Sequence, residues 1–124
     1  MRVIASLIVA LSVLSASVAF AKRSAPEIIK PIRSGEIEFR APHSQAGFIE
    51  AWDVKRDELI WRRQIYVVKY TAGLERDVQD VYIQSVELKN NTLLVKNERK
   101  SEYQLNLDSL EVKVVKGDLV ENRK

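Results

Sequence analysis

From residue 35 onward, apolar and polar positions alternate with a period of two, and the chain reads as a succession of short strands. Glu36-Ile37-Glu38-Phe39-Arg40 sets Ile37 and Phe39 on one face. After the loop Ala41 to Ala46, Gly47 to Trp52 is one extended segment and Leu59 to Tyr70 a second, joined as a hairpin by the charged run Asp53 to Glu58. The second segment is dense in β-branched and aromatic residues (Ile60, Trp61, Ile65, Tyr66, Val67, Val68, Tyr70), which fit a pleated surface better than a helix. Thr71 to Asp80 is polar and holds Gly73, so it is a loop or one helical turn. Val81 to Lys89 returns to strand, with Val81 and Ile83 on one face and Val86 and Leu88 on the other; the change of face across Gln84-Ser85 predicts a bulge. Asn90-Asn91 is a turn, because Asn tolerates positive φ, and Thr92 to Asn97 is the partner strand. Beyond the polar turn Glu98 to Ser101, Tyr103, Leu105 and Leu107 alternate toward a core, Asp108-Ser109 turns, and Leu110 to Val115 is a last strand. The sum is an all-β class with about seven short strands: a small antiparallel sheet domain built as a sandwich, a barrel or a partial pair of propeller blades.

Ahead of the strands the pattern changes. Met1-Arg2 is a basic start, Val3 to Val18 is apolar and broken only by small residues, and Ala19-Phe20-Ala21 has the small-x-small form that a signal peptidase accepts. Residues 1–21 therefore read as a secretory signal peptide; the competing reading is an uncleaved leader that anchors the chain in a membrane. Cleavage after Ala21 leaves 103 of the 124 residues and takes the formal charge from +3 to +2, which is one small domain. Residues 22–34 contain Pro26 and Pro31 and read as an extended arm, 35–116 as the β domain, and 117–124 as a polar tail that frays. There is no cysteine, so an exported domain of this size must be held by packing and sheet hydrogen bonds, which suits a bacterial periplasm or exterior. The 20 basic and 17 acidic residues are interspersed, whereas a nucleic-acid footprint would cluster its charge on one face.

Within the hairpin, Ala51, Asp53 and Trp61 have the spacing A-x-D-x-x-T-G-x-x-x-W, with Arg56-Asp57 where that pattern has Thr-Gly. The stretch resembles the repeat of quinoprotein-like (PQQ-type) β-propeller blades. Together with Glu75-x-Asp77-Val78-Gln79 it is also similar to small exported bacterial proteins that share the hairpin. In such blades the Ala and Trp dock one sheet on its neighbour, so the resemblance implies a packing role for Trp61. Two blade-like units cannot close a ring, and the resemblance therefore implies a fragment, an oligomer of fragments or a small sheet domain. It implies no cofactor site.

Candidate chemistry is sparse. His43 is the single histidine, which excludes a multi-histidine zinc site. Ser44 beside it lacks a G-x-S-x-G elbow, and neighbours on an extended chain point apart, so a surface loop is the simpler role for the pair. Glu75, Asp77 and Asp80 supply the hard oxygen ligands that Ca²⁺ takes, but at a spacing unlike the D-x-[DN]-x-[DN]-G loop and with Arg76 among them. Glu50, Asp53, Glu58 and Glu102 are carboxylates from which a glycoside-cleaving pair would have to be drawn. Trp52, Tyr66 and Tyr70, with Tyr82, offer an aromatic platform for sugars, and Trp52, opposite Ala51 and beside the charged turn, is its most exposed member. Asn90-Asn91-Thr92 matches a glycosylation sequon that a bacterial setting reduces to a turn.

No catalytic residue, cofactor or structural metal is expected from these features. The chain reads first as an exported, non-catalytic β domain that binds an envelope or extracellular protein or glycan, or a second copy of itself through open sheet edges. The alternative is an envelope hydrolase or a quinoprotein-related redox accessory. The two differ in geometry: the binding module is expected to show no concave polar pocket, whereas the enzyme must converge two carboxylates, or His43 and a carboxylate, in one cleft.

Overall fold

The computed structural model describes residues 28–122, so the leader and the first part of the arm lie outside the described residues. The chain is all-β with antiparallel sheets. One four-stranded meander contains β1 (Ile32–Ser34), β2 (Ile37–Arg40), β3 (Phe48–Asp53) and β4 (Glu58–Gln64) in that order. A second contains β6 (Ile83–Lys89), β7 (Thr92–Asn97), β8 (Glu102–Asn106) and β9 (Val112–Lys116). Between the meanders lie β5 (Val67–Val68) and the single helical turn α1 (Arg76–Gln79); β10 (Val120–Glu121) follows the second.

Among the described residues ten strands form where about seven are expected, and each extra strand has a local cause. Within the arm, β1 folds back on β2 through Gly35, whose φ of +63° makes the turn. The long segment Leu59 to Tyr70 is divided because Ile65 and Tyr66 turn inward together, both buried, which ends β4 and starts β5. The tail, expected to fray, instead pairs β10 with β5 in parallel, Val67 N–H donating to Leu119 O at 2.9 Å and Lys69 N–H to Glu121 O at 2.8 Å. The turns behave as their residues dictate: Asp57 and Asn90 take φ of +53° and +56°.

The inner faces of the two meanders share one core. The cross-strand row Phe39–Ala51–Trp61 comes from the first, and the rows Val95–Tyr103 and Leu88–Leu93–Leu105 come from the second. The expected bulge is present: register shifts between Ile83 and Ser85, and the extra residue brings Ile83, Val86 and Leu88 to the same core side rather than to opposite faces. A second bulge skips Ile60, since Ala51 pairs with Trp61 but Trp52 pairs with Leu59.

The junction that holds β10 is polar and buried. Glu121 is only 2% exposed, and its Oε1 accepts from Asn97 Nδ2 at 3.2 Å, from Tyr103 OH at 3.1 Å and from Ser101 Oγ, while Arg99 Nε stands 3.5 Å from Oε2. Among the described residues no buried side-chain N or O atom lacks a partner, so this charge is compensated rather than stranded. Gly117 makes the approach possible: its φ is +86°, and a Cβ there would run into the Ser101 side chain and backbone. Gly117→Ala is expected to cost about 3 kcal/mol, combining the left-handed penalty with overpacking. Gly35→Ala, with open space around the added carbon, is expected to cost only about 1 kcal/mol. Denaturant titration of the two variants checks the difference.

Candidate functional site

The loop Ala41 to Gly47 after β2 and the segment Tyr70 to Tyr82 before β6 face each other across a cleft of about 530 Å³. His43, Ser44 and Phe48 line it from the first segment and the start of β3, Tyr70, Arg76, Asp77, Asp80 and Tyr82 from the second, and Gln64 and Val68 also border it. Sequence reasoning did not assemble this site, because its residues come from segments that are distant along the chain and carry no common motif.

The second wall is organised by Gln79. This amide is buried at the end of α1; its Nε2 donates to Thr71 O at 3.3 Å, Leu74 O at 3.1 Å and Glu75 O at 3.2 Å, and its Oε1 accepts from Thr71 N–H. A four-residue helix does not persist alone, so the polar stretch is shaped by this one side chain. The result presents Arg76 with its guanidinium 4.2 Å from the centre of the Tyr70 ring. Tyr70 OH donates to Asp80 Oδ1 and Tyr82 OH to Asp80 Oδ2, the latter at 3.2 Å. Burial and then the bond to Asp80 push the Tyr70 phenol above its ordinary range, with Arg76 opposing. Across the cleft, the His43 ring packs on Tyr82 with centroids 5.3 Å apart.

The sequence candidates scatter. Tyr66, expected on an aromatic surface, is fully buried, because its ring completes the core and stacks on Tyr103 at 5.2 Å. Trp52 is half-buried on the outer face of the first sheet, its Nε1–H directed to Glu50 Oε1 at 3.3 Å and the Arg40 guanidinium 4.7 Å from its ring centre. Only Tyr70 of the three belongs to the cleft. Trp61 packs against the core with Phe39 at 6.0 Å, Ala51 is buried opposite it, and Asp53 Oδ1 caps the turn by accepting from Arg56 N–H at 3.0 Å. Of the four hydrolase carboxylates, Glu50 is held by Arg62 and Glu102 by Lys96 at 3.6 Å, while Asp53 and Glu58 stand opposite each other where β3 meets β4, with Asp53 engaged by its turn. His43 does converge with carboxylates in one cleft, those of Asp77 and Asp80, which is the geometry an enzyme was expected to need.

Glu75, Asp77 and Asp80 do not assemble a cation site; among the described residues no three His, Asp or Glu side chains converge as metal ligands. Asp77 Oδ1 accepts from Val78 N–H at 3.0 Å, and Asp80 is turned to the two tyrosines. No described helix is long and apolar enough to cross a membrane. The chain matches no protein-family model and no curated protein sequence.

Two measurements follow from this geometry. Millimolar Ca²⁺ is expected to leave the melting temperature unchanged; a rise would show that the three carboxylates bind calcium after all. Burial, reinforced by Glu121 and opposed by hydrogen bonds from Ser101 and Asn97, pushes the Tyr103 phenol up to about 12 from 10.0. A raised tyrosine stabilises the fold fully below pH 10, and that contribution is lost as the pH climbs from 10 toward 12, where the unfolded chain has already released its proton. Alkaline unfolding of the native protein should therefore be steeper over that interval than that of Tyr103→Phe.

Proposed function

We propose that the protein is an exported, non-catalytic binding domain of the bacterial cell envelope, and that its ligand sits in the cleft between the His43 loop and the Tyr70 to Tyr82 segment rather than on a sheet edge. The observation that carries this reading is the cleft itself, a concave space of about 530 Å³ where the rings of His43, Phe48, Tyr70 and Tyr82 meet a largely polar lining. A concave polar pocket was not expected of a binding module, and it supports a small-ligand site because its polar groups are tied to rings as contact surfaces. Its polar groups are arranged around rings as contact surfaces. Arg76 lies over Tyr70, His43 against Tyr82, and Asp80 between two phenols. A resemblance to paired propeller blades is part of the same proposal. Its support is that each half of the chain makes a four-stranded antiparallel meander in sequence order, and that Ala51 and Trp61 face each other on the core side.

A second reading, an envelope hydrolase, is favoured by His43 standing in the same cleft as Asp77 and Asp80. The two are separated by one titration. Solubilised peptidoglycan fragments added to isotope-labelled protein are expected to shift the amide resonances of residues 43–48 and 70–82 and to remain intact. Tyr82→Ala should abolish those shifts, and Trp52→Ala should leave them unchanged. Cleavage of the fragments that is lost in His43→Ala would instead establish the hydrolase, and shifts that depend on Trp52 would move the binding surface to the hairpin.

A further inference from the structure

We infer that the last strand is exchangeable: the slot that holds β10 also accepts β10 of a second copy, so that two chains trade tails and form a symmetric dimer. The slot is a built recognition site whose ligand is visible, because the chain's own tail occupies it. Two contacts read the tail's backbone in parallel, Val67 N–H donating to Leu119 O at 2.9 Å and Lys69 N–H to Glu121 O at 2.8 Å. The Glu121 carboxylate, only 2% exposed, is received by Asn97, Ser101, Tyr103 and Arg99. Asp118 adds two backbone bonds, its O accepting from Tyr103 OH and its N–H donating to Ser101 Oγ at 3.4 Å.

None of these receiving groups belongs to β9, the strand that carries the tail. They come from β5, from β7 and β8 and from the turn between those two, so a tail meets the same partners whichever chain supplies it. An unrelated peptide would have to present the same backbone in parallel with a glutamate at the same spacing. A second copy does so by identity. Direct pairing of two β9 edges is the other route to a dimer, and the exposed Lys113 and Lys116 on that strand oppose it.

Exchange requires a tail that lifts readily and a connection that can open. Leu119 and Val120 are 50% and 52% exposed, so lifting uncovers little apolar surface; the hold is the polar lock, which exchange restores. Only Gly117, Asp118 and Leu119 connect β9 to β10, and all three are exposed. Their turn depends on Gly117 at φ +86°, packed so closely on Ser101 that a Cβ would collide with it. A short connection held in a tight turn is the kind that opens into an extended hinge. Against exchange stands the tether itself, which gives a tail an effective concentration of about millimolar at its own slot. The dimer therefore belongs to high protein concentration and to variants that strain the turn.

The test exploits a chain without cysteine and the exposed registered pair Val67 and Val120. Val67→Cys and Val120→Cys are made in separate full-length chains, mixed at about millimolar concentration and oxidised. A disulfide dimer joining position 67 of one chain to position 120 of the other is expected in excess over either self-linked dimer. With Gly117→Ala in both chains, the same product is expected at a concentration about tenfold lower or more, because an opened connection escapes the left-handed penalty. Glu121→Ala in the Val120→Cys chain should abolish it, and an excess of free peptide spanning residues 117–124 should suppress it. Near-ultraviolet circular dichroism checks that the Glu121→Ala chain folds; if it does not, the peptide competition decides. A mixed dimer no more abundant than the self-linked ones at every concentration overturns the exchange. A mixed dimer that survives Glu121→Ala or the peptide forms outside the slot and overturns it as well.

Discussion

Two phenol rings lie stacked where the two sheets meet, Tyr66 and Tyr103, with centroids 5.2 Å apart and planes 16° from parallel, and both walls of the cleft take their position from how that pair is held. A buried phenol must place its hydroxyl, since an unpaired one costs more than its ring contributes at the margin. Tyr66 OH donates to Val81 O, which fixes the backbone between Asp80 and Tyr82. On the other side, Gly47 O accepts from Ile65 N–H at 2.7 Å and from Tyr66 N–H at 3.5 Å, and a Cβ at Gly47 would collide with Tyr66 O. The loop that carries His43 and the segment that carries Asp80 are thus two attachments of one residue. Tyr103 does the same for the end of the chain, its hydroxyl reaching Asp118 O and Glu121.

This arrangement explains what was legible in the sequence and what was not. The meanders were legible because a half-buried strand must alternate: Ile37 with Phe39, and Tyr103 with Leu105, announce their faces, and Asn90 announces its turn. The Gln84-Ser85 bulge was legible as a change of face, although only the fold shows that the extra residue reunites Ile83 with Val86 and Leu88 on the core side. The break at Tyr66 was not legible. Ile60 to Val68 is rich in apolar and aromatic residues, and nothing local distinguishes a tyrosine at a sheet surface from one that ends a strand and fills the junction. β10 was hidden for the opposite reason: a glutamate in a polar tail looks solvated until Asn97, Ser101 and Tyr103 arrive from a distant hairpin to receive it. The cleft combines both difficulties, since it draws on three separated segments whose proximity depends on Tyr66.

The outer face of the first sheet shows the contrast between a surface that is tied up and one that is presented. Arg40, Glu50 and Arg62 form a cross-strand row, with Glu50 bonded to Arg62 and to the Trp52 indole and Arg40 lying over the indole ring and bonded to Glu38 at 2.7 Å. Arg40, Glu50, Trp52 and Arg62 are each partnered there by a neighbour on the same sheet. That makes Trp52 part of the packing of the hairpin, and it moves the expected aromatic platform from the hairpin to Tyr70 and Tyr82.

Binding in a cleft requires that its polar groups be set before a ligand arrives, because a group that must be ordered on binding subtracts that entropy from affinity. In this chain, which has no cysteine and so no disulfide, the second wall is a four-residue helix in a polar loop. The burden falls on the Gln79 amide, and the choice of amide is chemically determined. Three backbone carbonyls point at its Nε2 and one backbone N–H at its Oε1, so the position needs a donor and an acceptor on one flat head. A carboxylate of the same length would set negative charge against three carbonyl oxygens, and an aliphatic side chain would leave all four backbone groups without their partner. A single buried glutamine thus turns a sequence that reads as a loop into a rigid mount for Arg76 and Asp80, and the contacts of both with Tyr70 are a consequence of that mount.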